Sequence, residues 1–189
     1  KPGIYAYSYD VLDRYGFFGG AAMNRKGERD LFFTFDFRGK IPGLFQLGLE
    51  PGLTFEFFNI SRKTSSFVNL PLDTIPVDVS YNMIEFDLAL KQKIFREDLD
   101  AEVRFAHSRY TGSFGTFFLP EAKTSVPATS VLYYIGNNLS TTWVLDQVFR
   151  SRTQSINPVG RKLRLRYEYE FSKFDPTDTV NNSGELVQR

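Results

Sequence analysis

Along residues 81–110 the apolar positions fall on every second residue. Ile84, Phe86, Leu88 and Leu90 alternate with Glu85, Asp87 and Lys91; after a break at 94–97, Leu99, Ala101, Val103 and Phe105 alternate with Asp100, Glu102, Arg104 and Ser108. A period of two held this long marks a β-strand with one greasy and one charged face, and two such runs around a short break read as a hairpin. Pairing Ile94 with Glu97 sets Lys91 opposite Asp100 and Asp87 opposite Arg104, so the charges select the register that the apolar rows also satisfy.

The same two-faced pattern recurs. Leu31, Phe33, Phe35 and Phe37 alternate with Thr34, Asp36 and Arg38, and a run from Phe45 through Leu47, Leu49, Leu53 and Phe55 to Phe57 alternates with Gln46, Gly48, Glu50, Thr54 and Glu56. Near the end, Leu163, Leu165, Tyr167, Tyr169 and Phe171 alternate with Lys162, Arg164, Arg166, Glu168 and Glu170. Weaker strands span 15–24 and 129–145, giving seven in all. Residues 4–9 are a candidate eighth, which would shift the sidedness of every later loop. The connections at 39–44 and 94–98 are short, while those at 61–80 and 111–128 are long, polar and proline-containing. Antiparallel strands send successive links to opposite ends, so, apart from the short turn at 25–29 and the middling link at 147–160, long and short links segregate as they do in outer-membrane barrels.

Composition sharpens this picture in one respect. Aromatics make up 16% of the 189 residues, with 20 Phe and 10 Tyr against one Trp and one His. Aromatics favour pleated, half-buried surfaces. A formal charge of +1, from 23 basic and 22 acidic residues, supplies no field that would recruit nucleic acid. The absence of cysteine removes disulfides, thiolate metal sites and cysteine nucleophiles. No run approaches the roughly 18 apolar residues of a spanning helix, but a spanning strand needs only about 9 to 11 residues. Lys1 in place of an initiator Met suggests an excised piece of a longer chain.

Strict alternation also suits a soluble barrel that keeps its apolar row inside. The depth of the rows, about ten residues for an apolar band of about 25 Å, favours the membrane version. The loop asymmetry points the same way, as do aromatics near strand ends: Tyr15, Phe17, Tyr110, Tyr133, Tyr134, Trp143 and Tyr169. The expected fold is therefore all-β, an antiparallel up-and-down transmembrane β-barrel with seven or eight strands present. Its lipid-facing row holds Phe33, Phe35, Phe55, Ile84, Phe86, Leu88, Val103, Phe105 and Leu165. Its lumen is lined by Asp36, Glu85, Asp87, Lys91, Glu102, Arg104, Arg164, Arg166, Glu168 and Glu170, and its long outer loops lie at about 61–80, 111–128 and 175–189.

Two stretches carry a family resemblance. Asp13-Arg14-Tyr15-Gly16-Phe17-Phe18-Gly19-Gly20-Ala21-Ala22 before a tight polar turn resembles the first barrel strand of bacterial surface-antigen outer-membrane barrels attached behind a TolB-like β-propeller. Trp143-Val144-Leu145-Asp146, then Asn157-Pro158-Val159-Gly160-Arg161-Lys162-Leu163-Arg164-Leu165, resembles that family's strand ending in Asp, its periplasmic turn and the strand after it. Pro158 and Gly160 stand closer together than in the family's Pro-x-x-Gly motif, yet Pro still fixes φ and Gly still permits positive φ at a rim turn. The resemblance implies a barrel of about sixteen strands, with residues 1–189 as its N-terminal half. It also implies an outer membrane of the Gram-negative type, outer-membrane lipid and a periplasmic β-propeller or further barrel segment as partners, and work in envelope transport, protein translocation or outer-membrane assembly. A passive porin or structural outer-membrane barrel is the first alternative, and a soluble barrel binding an apolar ligand the second.

No enzyme chemistry emerges. His107, the sole histidine, shares parity with Val103 and Phe105 on the lipid side. Carboxylates at i and i+2, such as Glu85 with Asp87 or Glu168 with Glu170, lie beside arginines, as in a salt-laddered lumen. The acidic stretch at 97–100 lacks the spacing and central Gly of a calcium loop, and no metal or cofactor is implied. Lys162, Arg164 and Arg166, followed by Glu168 and Glu170, would polarise a pore or hold a plug.

Overall fold

The computed structural model describes residues 1–69, 74–95, 98–119, 123–149, 159–174, 178–180 and 186–188. Strands β1 (Gly3–Tyr9), β2 (Tyr15–Met23) and β3 (Arg29–Phe37) are followed by one short helix, α1 (Pro42–Gln46). Then come β4 (Gly52–Asn69), β5 (Thr74–Lys93), β6 (Leu99–Phe114), β7 (Phe117–Leu119), β8 (Thr124–Val126), β9 (Thr129–Phe149) and β10 (Val159–Glu170). The chain finishes with the short β11 (Lys173–Phe174), β12 (Asp178–Val180) and β13 (Leu186–Gln188). One antiparallel sheet runs in the order β1-β2-β3-β4-β5-β6-β9-β10, with β11 also on β9, while β7–β8 and β12–β13 are separate hairpins. The all-β class is thus shown, and residues 4–9 do form a strand. Among the described residues the sheet does not close, since β1 and β10 end the order.

Several expectations need correction. The run from Phe45 to Phe57 is not one strand: Pro42 opens a helical turn with Phe45 N–H donating to the Ile41 carbonyl at 2.8 Å, Gly48 leaves it at φ +75°, and pairing begins at Gly52. Proline suits the first turn of a helix because its missing N–H has no partner there anyway. The 61–80 loop is largely strand, paired without interruption from Ser61 with Asn82 to Asn69 with Thr74. Its polar side chains imitate a loop, but ladder hydrogen bonds belong to the backbone and do not require apolar residues. The 111–128 loop shrinks in the same way, into the end of β6 and the β7–β8 hairpin. The short strands β12 and β13 fall within 175–189.

The β5–β6 register also differs by two residues from the expected one. Lys91 faces Glu102, and Arg104 faces Ala89. Phe95 at φ +61° helps turn the chain, Ile94 N–H donates to the Leu99 carbonyl at 3.0 Å, and a wider loop results. The expected charge pairs survive as diagonal neighbours: Arg104 reaches Asp87 at 3.1 Å and Lys91 reaches Asp100 at 3.9 Å.

An even register slip preserves the faces. The paired residues Phe17, Phe35, Phe55, Leu88, Phe105, Leu139 and Tyr169 form an apolar row across seven adjacent strands. The next row crosses the same strands as Phe18, Thr34, Glu56, Asp87, Ala106, Asn138 and Glu170. All nine expected lipid-facing residues share the first face, and all ten charged ones share the second. Along the middle of β5 shelter follows the charged face: Asp87 and Ala89 are 9% and 4% exposed, whereas their chain neighbours Phe86 and Leu88 are 37% and 43% exposed.

Candidate functional site

The charged face gathers around Arg104 in the middle of β6. Its Nη1 donates to Glu56 Oε2 at 2.6 Å and to Asp87 Oδ2 at 3.1 Å, and its Nε donates to Glu102 Oε1 at 3.2 Å. Three strands are tied by one guanidinium, whose planar fork can serve several carboxylates at once. Glu85, two residues before Asp87, lies on the same face of β5. Asp87 Oδ1 is buried and accepts no hydrogen bond, so this carboxylate is only half satisfied.

Across β9 the wall continues with Asn138 donating to Glu168, Arg166 Nη2 pairing with Glu168 at 2.9 Å, and Tyr134 O–H donating to Glu170 at 2.7 Å. A polar cavity of about 510 Å³ lies against this face of β5, β6, β9 and β10. Eight of the ten expected charges line it: Glu85, Asp87, Glu102, Arg104, Arg164, Arg166, Glu168 and Glu170. Asp36 and Lys91 instead line a second cavity of about 830 Å³ nearer the β3–β4 and β5–β6 links, where Asp36 accepts a 2.6 Å hydrogen bond from Thr54.

Sequence reasoning overlooked part of this face. Glu56, the closest partner of Arg104, follows the alternation and needed only the β4–β5 register to be found. Tyr5, Tyr7, Tyr9, Phe18 and Phe32 also lie on the charged side, at the β1–β3 end of the sheet. Phe18 and Phe32 have ring centroids 5.1 Å apart, and Tyr5 lies 6.0 Å from Phe32. Gly20 makes room for them, since a Cβ there would stand 2.6 Å from Tyr5 and 2.8 Å from Phe32. That glycine in an otherwise bulky strand was the available signal.

Two aromatics assigned to a girdle, Tyr110 and Tyr134, fall on the charged face, where their rings meet at 5.4 Å. A register shift after Tyr110 leaves Tyr133 as the extra residue of a bulge. Trp143 and Tyr15 do lie on the apolar side. His107 stands there too, with Nδ1 2.7 Å from Asn137 Oδ1 and its ring 4.9 Å from Phe86, on the opposite face from the carboxylates. Pro158 and Glu97 lie outside the described residues. Gly160 opens β10 at φ +145°. Among the described residues no group of three His, Cys, Asp or Glu side chains is placed to hold a metal ion.

No family model, curated protein or solved structure matches the chain.

Proposed function

We propose that this sheet is part of the wall of a transmembrane β-barrel in an outer membrane of the Gram-negative type, with its charged face toward the lumen and its apolar face toward lipid. The observation that carries this reading is the inversion of exposure along β5: Asp87 and Ala89 are sheltered while Phe86 and Leu88 are open. A water-soluble barrel has the opposite arrangement. The apolar face also crosses the register obliquely. Measured from the Phe35–Leu88–Tyr169 row, it extends beyond Phe35 to Leu31 in β3 but below Tyr169 to Leu163 in β10. Tilted strands produce such a drift in a band that stays level with the membrane.

The edges support a larger assembly. Among the described residues, the outer sides of β1 and β10 pair with nothing in the sheet, and hydrocarbon does not tolerate unpaired backbone groups. Further strands of a surface-antigen-like barrel of about sixteen strands would close it. In that setting the protein serves envelope transport, protein translocation or outer-membrane assembly, with outer-membrane lipid and a periplasmic β-propeller as partners. The charge-lined cavity favours a passive porin as the second reading. A steady large conductance in planar bilayers selects the porin.

Leu88→Arg tests the membrane reading itself. A charge at mid-depth of a lipid-facing strand costs about 2–4 kcal/mol, so refolding yield and urea midpoint in detergent micelles should fall. Normal refolding of the variant, together with detergent-free solubility of the parent chain, would overturn the proposal.

A further inference from the structure

At the end of the sheet where β2 turns into β3, the apolar face gives way to a cluster of cations. Met23 and Leu31, 59% and 42% exposed, are the last apolar residues of β2 and β3 on that face. One step beyond, Arg29 continues the parity of Leu31, and Lys63 continues the parity of Phe57 in β4. The turn between them adds Arg25 and Lys26. Lys63 Nζ stands 3.3 Å from where a Cβ on Gly27 would lie, so the lysine reaches the turn, and Lys26 and Lys63 border one cavity.

The local carboxylates are otherwise engaged. Glu28 accepts from the Lys63 backbone N–H at 3.1 Å and pairs with Lys1 at 3.7 Å; Asp30 is bound by Lys1 and Arg62; Asp78, on the cavity wall, accepts from Ser65 at 3.2 Å. The side chains of Arg25, Lys26, Arg29 and Lys63 are exposed and have no carboxylate partner among the described residues. The opposite end of the same strands differs, because Arg14 is paired with Asp10 and Arg38 with Asp13.

We propose that Arg25, Lys26, Arg29 and Lys63 form a docking surface for the phosphate groups of anionic lipids in the leaflet at this end. The inference rests on the membrane reading above. Apolar side chains bounded by unpaired cations match the layering of acyl chains beneath phosphates, and the cluster's charge complements a phosphorylated headgroup. Each cation close to an anionic surface strengthens binding by about fivefold, so the four act together as a substantial lipid contact.

The test refolds the full-length protein that carries this sheet in the presence of vesicles of phosphatidylcholine alone, or of phosphatidylcholine containing diphosphorylated lipid A, and measures co-flotation. The expected result is a preference for the lipid A vesicles that drops by about twentyfold or more in Arg29→Gln/Lys63→Gln. Arg14→Gln/Arg38→Gln removes two charges from the opposite end of the same strands, where both are ion-paired, and should retain the preference; circular dichroism checks that each variant folds. An undiminished preference in the first variant, or an equal drop in both, overturns the docking surface while leaving the membrane reading intact. Full competition by inorganic phosphate identifies a free-anion site and overturns the lipid assignment. Failure to float with either vesicle brings down the membrane reading, and this inference with it.

Discussion

Strands β5 and β10 carry the same alternation of apolar and charged residues, but they fare differently in the sheet. In β5, flanked by β4 and β6, Val77, Val79, Asp87 and Ala89 are buried. In β10, flanked on one side only by β9, every position from Gly160 to Glu170 is exposed, and β1 at the other edge is exposed throughout. Leu163, Leu165 and Tyr167 of β10 are as apolar as their counterparts in β5, so composition is not the cause. Shelter on the charged face comes from neighbours on both sides, whose side chains line the polar cavity. The edge strands lack half of those neighbours, which is the physical basis for expecting more strands beyond them.

The sharpest way to break this contrast is at the joint of β10. A Cβ on Gly160 would stand 2.2 Å from the Gln147 carbonyl oxygen and 2.7 Å from Val148 Cα, at a φ of +145° that side chains rarely adopt. Gly160→Val should cost about 3 kcal/mol or more and free β10 to proteolysis while β4–β6 remain protected. Uniform protease resistance would show that β10 is held by more than its pairing with β9.

Arg104→Met attacks the centre instead. It removes three charge-assisted contacts and leaves Glu56, Asp87 and Glu102 facing one another. Because the side chain is 32% exposed, solvent screens part of the loss, and a urea midpoint shift equivalent to about 2 kcal/mol is expected. An unchanged midpoint would mean that the cavity's water already satisfies these carboxylates. Hydrogen exchange then compares the regions without mutation. Amides of β5 and β6 should exchange slowly and the outward amides of β1 rapidly. Equal protection would reveal a strand already docked on the edge.

The smallest effect concerns the turns. The hydrogen bond from Arg14 holds the Asp10 carboxyl below its ordinary range, and the backbone N–H of Lys63 does the same for Glu28. A depressed folded-state value contributes stability that is present above the unfolded carboxylate value of about 4 and lost as pH falls through the lower folded one. Asp10→Asn and Glu28→Gln should therefore lower the melting temperature slightly at neutral pH, flatten the acid limb in that window, and converge with the parent as pH falls below it. A parallel shift at all pH values would contradict this assignment.

How much of this was legible in the sequence depends on what each feature rests on. The two faces of β3, β5, β6 and β10 were readable because side chains alternate with a period of two, a property of the backbone that no tertiary contact alters. The ten charges and nine apolar residues therefore sort onto opposite faces even though the β5–β6 register slips by two. Helix α1 was missed because Phe45, Leu47 and Leu49 keep the strand period while Pro42 and Gly48 impose a turn. The upper halves of β4 and β5 were missed because their ladder is written in backbone hydrogen bonds, to which Ser61, Lys63 and Ser80 are indifferent.

What the sequence determined by itself is the amphipathic character of each strand. What only the tertiary structure decided is which face is sheltered, which carboxylates share Arg104, and where the cations of the β2–β3 turn meet Lys63. Alternation fixes a residue's side of its own strand. Neighbourhood depends on register, curvature and strand order, and these are set by pairings between residues far apart in the chain.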